Sequence, residues 1–311
     1  MANSISTPLY LGIEIGGTKQ QMAIGTADGE IIKKCHISFG TDTSASSILS
    51  WIEASGSELL KEYNVEAVGV GFGGPIDTKT GITLQSMQVS GWSNFHLLEW
   101  ISNIFSLPVV VENDTVTGGL AELWIGAGKD SNRLFYTNIG TGIGGGLYWD
   151  NGYGASSLGY VWVPDWTSSV PGAKTRLEYL CCGPAIEKRL NTPGYIPRSS
   201  TLYSLPAPLN CKDLASAVHN GDSFALEELD RIAQTFSLGL ADVLAVAFPD
   251  KIVIGGGVAK IGAPLFERLQ YFTEKNAYVA DVGKFRIIPS ELMDDAVLVG
   301  ALLLAAGKAR R

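Results

Sequence analysis

Leu11-Gly12-Ile13-Glu14-Ile15-Gly16-Gly17-Thr18-Lys19 and Ile139-Gly140-Thr141-Gly142-Ile143-Gly144-Gly145-Gly146 are the two stretches on which the fold turns. In each, a short apolar run meets a glycine–threonine turn, and a second apolar run follows. The runs 10–15, 20–25 and 31–37, broken at 16–19 and at Asp28-Gly29, read as an antiparallel meander. The runs 134–139 and 144–149 repeat its beginning and close on Asp150-Asn151-Gly152. Such a recurrence points to an internal duplication with one hairpin in each domain.

Outward from these hairpins, hydrophobic spacing predicts helices over 47–63, 95–105 and 115–125 and strands over 67–72 and 109–111. The second half reads as mostly helical, over 175–190, 211–220, 223–247, 264–275 and 295–306. One strand, 251–254, runs into Gly255-Gly256-Gly257. The segment 191–210, with four prolines, reads as an exposed excursion.

The chain has 311 residues, long enough for two domains, and 46% are hydrophobic, ample for packed cores. Net charge is −8 with no Lys/Arg run, which argues against a nucleic-acid surface but not against a nucleotide held by backbone N–H groups. The start, Met1 to Tyr10, has no signal-peptide pattern, and the apolar runs 238–248 and 296–306 are too short to span a bilayer. Four scattered cysteines and three distant histidines fit a reduced, cytoplasmic protein without structural zinc.

Gly140, Gly142 and Gly145 match G-x-G-x-x-G, but that fingerprint needs a helix to follow. Gly146-Leu147-Tyr148-Trp149-Asp150 is strand chemistry, so a dinucleotide fold is set aside. A glycine turn carrying a threonine instead exposes consecutive N–H groups and a hydroxyl, a nest for anions. Two such turns suit a phosphate pair gripped from both sides of a cleft, although either alone reads equally well as a tight turn. Glu14, two residues before Gly16, is placed to hold Mg²⁺ through water, or else simply faces solvent from a strand. At Glu112-Asn113-Asp114 an apolar strand gives way to a helix, where Asn113 or Asp114 suits an N-cap. An amide beside a carboxylate also suits adjacent sugar hydroxyls, with Asp114 taking a hydroxyl proton during phosphoryl transfer. Gly255-Gly256-Gly257 leaves bare backbone for a base or ribose, or marks a packed strand–helix turn. Cys181-Cys182 reads as a pair of small buried hydrophobes.

Taken together, these segments resemble the ROK family of the sugar kinase/Hsp70/actin superfamily, over nearly the whole chain. The stretch 11–19 looks like its first phosphate hairpin, and Gly71-Phe72-Gly73-Gly74-Pro75-Ile76-Asp77 like its sugar-side loop. Gly91-Trp92 is similar to its Gly-Trp step, and Val111-Glu112-Asn113-Asp114 to its catalytic segment. The stretch 139–146 resembles its second phosphate hairpin, 254–258 its adenosine loop, and Gly300-Ala301 its C-terminal helix. The resemblance implies an α/β, two-domain actin-like ATPase (ribonuclease H-like) fold with an interdomain cleft. The smaller domain would hold 1–116 plus 298–311, and the larger one 117–297. It also implies ATP-dependent phosphorylation of a sugar, most simply a hexose, by a homodimer using ATP and Mg²⁺. Asp114 is then the general base, and Gly74, Asn113, Ser157, Tyr160 and Glu178 join it in contacting sugar. Gly16, Gly17, Thr18, Lys19, Gly140, Thr141, Gly142, Gly256 and Gly257 would bind nucleotide, and Glu14 the magnesium.

The chain departs from that family pattern at several positions. Glu14 stands where Asp is usual and Gly73 where proline is usual. Ala155–Val161 looks like the G-E-x-G-H stretch, yet Ser157 replaces the glutamate and Tyr160 the histidine. The cysteine-rich zinc loop is missing, with Arg176 at a zinc cysteine's place, so no zinc is expected. Two lost sugar contacts, each worth roughly 1–3 kcal/mol, keep a second reading open: a non-catalytic sugar- or nucleotide-sensing regulator of the same fold. Repressors of the family carry an N-terminal helix-turn-helix, and here the first hairpin begins by residue 10, so a nucleic-acid partner is not expected.

Overall fold

The computed structural model describes residues 7–17, 19–39, 43–84, 89–150 and 152–307. The chain divides into two compact units, Met1–Gly126 with Asp294–Arg311, and Ala127–Met293.

The first unit opens with β1 (Leu9–Ile15), β2 (Lys19–Thr26) and β3 (Ile31–Ser38), then α1 (Ala45–Glu62) and β4 (Val68–Phe72). The short strands β5 (Ile76–Asp77) and β6 (Ile82–Thr83) follow, then α2 (Leu97–Phe105), β7 (Val109–Asn113) and α3 (Asp114–Ile125). The sheet runs in the order β3-β2-β1-β4-β7. Its first three strands form the antiparallel meander read from the sequence, and β4 and β7 extend it in parallel. Every residue of β4 is buried, as a central parallel strand covered on both faces requires. Leu11, Ile13, Val68 and Val70 join Ile48 and Ile52 of α1 in one core cluster.

The terminal helix Ala296–Ala305 is apolar all round and almost wholly buried, the expected state of a helix with no polar face. It packs against β1, β4 and α3 at backbone distance. A Cβ on Gly69 would lie 1.9 Å from the Ala301 carbonyl oxygen, and one on Gly300 1.9 Å from that of Thr117. That contact keeps all of α3 in the first unit, whose compact boundary falls at Gly126 rather than at the 116 expected from sequence.

The second unit contains β8 (Arg133–Asn138), β9 (Gly145–Trp149), β10 (Gly152–Ser156), β11 (Trp162–Pro164) and β12 (Lys174–Arg176). It continues with α4 (Glu178–Cys181), α5 (Gly183–Leu190), α6 (Cys211–His219), α7 (Ser223–Ala247), β13 (Lys251–Gly255), α8 (Ala263–Asn276) and β14 (Arg286–Pro289). Its sheet order, β10-β9-β8-β13-β14, repeats the first strand for strand: an antiparallel meander extended by two parallel strands.

Two sequence expectations change. The helix expected over 175–190 begins as β12 and then breaks at Cys182, which is extended at φ −74° and ψ 160°. Pro184 has no N–H to continue the preceding helix, but it fits the first turn of a new one. The 191–210 excursion is partly packed, with Leu202 and Leu209 buried and the Ser200 hydroxyl bonded to Asp222 at 3.1 Å. Among the described residues no helix is long and apolar enough to cross a membrane.

Candidate active site

In the first unit, the turn between β1 and β2 closes by Gly16 N–H donating to the Lys19 carbonyl at 3.2 Å, while Gln20 Nε2 donates to the Gly16 carbonyl at 2.9 Å. A Cβ on Gly16 would stand 2.7 Å from the Lys19 carbonyl oxygen, so glycine is required there. Gly17 is half-buried beside it, and Thr18 lies outside the described residues.

Glu14 leaves β1 opposite Gln21 of β2 and Gly71 of β4. Gln21 Nε2 donates to Glu14 Oε2 at 2.7 Å and to the Asp294 carbonyl at 3.0 Å. Burial pushes the Glu14 carboxyl up to about 7, with the charges of Asp114 and Asp294 adding and those of Lys19 and the Gln21 bond opposing. Lys19 is the largest single charge acting on Glu14, and Asp114 and Asp294 act in the opposite sense. A carboxylate is the kind of oxygen donor through which Mg²⁺ is held, directly or by way of its waters. Among the described residues no group of three or more His, Cys, Asp or Glu is arranged to cage a metal by itself.

Asp114 is the first residue of α3. Its Oδ1 accepts from Thr115 N–H at 2.6 Å and from the Thr115 hydroxyl at 3.2 Å, and no hydrogen bond among the described residues reaches Oδ2. Burial raises the carboxyl to about 6, against the Thr115 N–H and hydroxyl and its own backbone N–H. Gly73 sets its place. A Cβ on Gly73 would lie 3.1 Å from Asp114 Oδ2, 2.9 Å from the Ile15 carbonyl oxygen and 3.3 Å from Gly16 Cα. Gly73 N–H also donates to Ile15 O at 2.7 Å, a bond that the proline usual in the family could not make. The missing side chain thus brings the aspartate up to the first turn.

Asn113 is the N-cap of α3, its Oδ1 accepting from Thr115 N–H at 3.1 Å and Val116 N–H at 3.3 Å. Its Nδ2 donates to the carbonyls of Phe72 at 3.4 Å and Gly74 at 3.3 Å. The amide therefore fastens the ends of β4 and β7 together, and Gly74 contributes its carbonyl to that fastening.

In the second unit the turn between β8 and β9 is pinned at both ends. Gly140 N–H donates to the Gly142 carbonyl at 3.0 Å, and the Gly140 carbonyl accepts from Gly183 N–H at 2.8 Å. Gly144 N–H donates to Asn138 Oδ1 at 3.0 Å. The N–H groups of Thr141 and Gly142 and the Thr141 hydroxyl make no bond among the described residues, and a Cβ on Gly140 would meet nothing within 4 Å. The turn thus leaves two consecutive N–H groups and a hydroxyl open. Gly256, at φ +90°, packs so close to Ile139 that a Cβ would fall 2.6 Å from its carbonyl oxygen, whereas Gly257 is exposed and open.

Ser157 precedes a 3-10 turn that Tyr160 ends; both are exposed, and the Ser157 hydroxyl is unbonded among the described residues. Glu178, first residue of α4, accepts Ile143 N–H on Oε2 at 2.7 Å. Sequence reading missed Arg176 as a structural element: its guanidinium stacks 3.9 Å from the Trp162 ring centroid and 5.7 Å from that of Tyr160, and Nη1 donates to the Tyr160 carbonyl at 2.6 Å. It missed Asp294 and Gln21 as well, although Gln21 could have been found as the cross-strand neighbour of Glu14 in a hairpin.

A sequence model of the ROK family matches residues 10–308. The chain belongs to the ROK family. A glucokinase of Halalkalibacterium halodurans is 32% identical over 311 residues, covering 94% of this chain and 93% of that protein. A ROK family glucokinase from Streptomyces griseus, solved with glucose and AMPPNP, superposes with TM-score 0.81 at 24% identity over 96% of this chain and 99% of the other. A ROK family transcriptional regulator, a homolog of the E. coli MLC protein, superposes with TM-score 0.84 at 20% identity over 96% of this chain and 78% of that one. This ROK chain thus has the α/β actin-like fold that kinases and regulators of the family share.

Proposed function

We propose that the chain is an ATP-dependent kinase of a sugar hydroxyl, with glucose the first sugar to test. The observation that carries this reading is Asp114, a desolvated carboxyl raised to about 6, set against the first glycine turn with Oδ2 unbonded. A carboxyl whose pKa lies just below neutrality is ionised there and still basic enough to accept a proton as the transition state forms. In phosphoryl transfer the protein mainly positions groups and stabilises charge. Asp114 takes the proton of the sugar hydroxyl as its oxygen attacks the γ-phosphorus, and ADP leaves as the β,γ-bridging bond breaks. Glu14 would hold Mg²⁺ through water, and the ion would neutralise phosphate charge. The free N–H groups of Thr141 and Gly142 would receive phosphate oxygens, and the open backbone at Gly256-Gly257 the ribose or base. Ser157, Tyr160 and Glu178 would take sugar hydroxyls, while Asn113, its amide engaged with the backbone, would hold the strand end that carries Asp114.

A regulator without catalysis is the second reading, favoured by Ser157 and Tyr160 standing where the family motif carries glutamate and histidine. A coupled ADP-release assay over a sugar panel decides between them. Sugar-stimulated turnover supports the kinase, whereas sugar binding by thermal shift with no turnover on any member overturns it in favour of the regulator.

A further inference from the structure

Three segments of the second unit meet at Ile143, inside the stretch that follows the open turn. Glu178 Oε2 accepts the Ile143 N–H at 2.7 Å, and the Ile143 carbonyl accepts Gly159 N–H at 3.2 Å. Gly159 fits only because it has no side chain. A Cβ there would fall 2.6 Å from the Ile143 carbonyl oxygen, 3.1 Å from Ile143 Cβ and 3.2 Å from Glu178 Cβ. The Ile143 side chain is buried in the same core cluster as Leu158 and Leu177, neighbours in sequence of Gly159 and Glu178. Gly159 itself lies between Ser157 and Tyr160. The residues of the sugar side are therefore bolted to the phosphate turn through the backbone of one residue, and the carboxylate is one of the bolts. Its Oε1 has no hydrogen-bond partner among the described residues, which leaves one oxygen for the turn and one for a ligand hydroxyl.

We propose that Glu178 is a positioning residue for the nucleotide as well as a sugar contact: it shapes the 140–143 turn through Ile143 N–H and so couples the two substrates. This rests on the kinase reading above, and it extends that reading from contact to coupling. Without the carboxylate a buried peptide N–H loses its charged acceptor, and the turn must shift to find another. A sugar hydroxyl bound at Oε1 fixes the side chain, and the phosphate turn is fixed with it.

The test is the Kd of AMPPNP by calorimetry, with and without glucose, for the wild-type chain, Glu178→Ala, Glu178→Gln and Gly159→Ala. In the wild type glucose tightens AMPPNP by about 5-fold or more, the lower range of ordinary coupling. Glu178→Ala weakens AMPPNP about 10-fold in the absence of any sugar, as loss of a charged hydrogen bond predicts, and abolishes the glucose effect. Glu178→Gln, whose amide oxygen still accepts from Ile143, restores most of the sugar-free affinity. Gly159→Ala keeps every proposed sugar-contacting side chain yet drives a methyl against Ile143, so it weakens AMPPNP in the absence of sugar, and this arm stands even where Glu178→Ala fails to fold. AMPPNP binding within twofold of wild type in both Glu178→Ala and Gly159→Ala overturns the proposal. A wild-type chain that binds neither glucose nor AMPPNP overturns the kinase reading beneath it, and one that binds both independently overturns the coupling alone.

Discussion

Replacing Glu14 by glutamine should change how the stability of the chain depends on pH, and the structure fixes both sign and size. The Glu14 carboxyl is raised from 4.5 to about 7, so the native state holds a proton that the unfolded chain has released. When the folded form binds more protons, stability falls as pH rises. The Glu14 contribution is thus fully present below pH 4.5 and is lost progressively as pH passes about 7. At ~1.4 kcal/mol for each tenfold change in proton affinity, the loss approaches ~3 kcal/mol above pH 7.5. Glutamine keeps an oxygen for Gln21 and removes the charge, so the variant should lack this slope. For a unit of this size ~3 kcal/mol corresponds to about 6–12 °C in Tm. Thermal unfolding by tryptophan fluorescence from pH 5 to 8.5, without nucleotide or metal, gives the comparison directly. The two proteins should melt within a few degrees at pH 5, and the variant should melt well above wild type at pH 8. Asp114 titrates in both proteins and contributes a smaller common slope. Parallel curves across the whole range would show that Glu14 ionises as in water and would refute the account of the site's charge.

Other substitutions probe separate parts of the structure. Asp114→Asn should lower kcat by about 10²–10⁴ with KM for sugar little changed, the signature of a lost general base; steady-state kinetics showing kcat within twofold would remove Asp114 from that role. Gly69→Ala drives a methyl to 1.9 Å from the Ala301 carbonyl oxygen, so the terminal helix must move, at a cost of at least ~3 kcal/mol; a Tm within 2 °C of wild type would be inconsistent with this packing. Arg189→Met takes from the fully buried Glu228 the guanidinium that bonds it at 2.9 Å, leaving the Tyr195 hydroxyl and Arg231 at 3.9 Å on its other oxygen, and should cost about 3 kcal/mol by denaturant unfolding.

How much of this was legible in the sequence depends on range. The two hairpins were readable because a strand's apolar run and a glycine turn are both local signals. So were the all-buried β4 and the long helix α7, whose patterns exceed any competing one. β14 was not: Arg286-Ile287-Ile288-Pro289 is too short to carry a period, and it becomes a strand only because β13 offers its edge. The break at Cys182 was present in the sequence as Pro184, but the helical spacing on either side masked it. The same limit governed the site. Asn113 and Asp114 were found as a pair, yet the division of labour between them, one capping α3 and one presenting a free oxygen, follows from the geometry of the β7–α3 junction. Asp294 enters beside Glu14 through a hydrogen bond spanning the length of the first unit's sequence. Arg176, at a zinc cysteine's place in the family pattern, became intelligible only once two aromatic rings were seen to stack on it.

The duplicated topology allows the two halves to be compared position by position, and the comparison separates scaffold from chemistry. Gly73 follows β4 and would place a Cβ 2.9 Å from the Ile15 carbonyl oxygen; Gly256 follows β13 and would place one 2.6 Å from that of Ile139. In both halves, then, a glycine at the end of the fourth strand lets backbone close onto the residue entering the turn. That rule is architectural and survives in each copy. The residue two places before the turn does not: Glu14 occupies it in the first half, and Asn138 in the second, where its amide oxygen is consumed by Gly144 N–H at 3.0 Å. Likewise the end of β7 delivers Asn113 and Asp114, while the end of β14 delivers Pro289 and Ser290. Acidity has been kept on one copy only. In the first copy the position holds a carboxylate, an oxygen donor suited to a cation, and in the second an amide spent on the backbone of its own turn. Glu14 and Asn138 therefore differ on an otherwise repeated frame, a difference that strand order and register alone do not require.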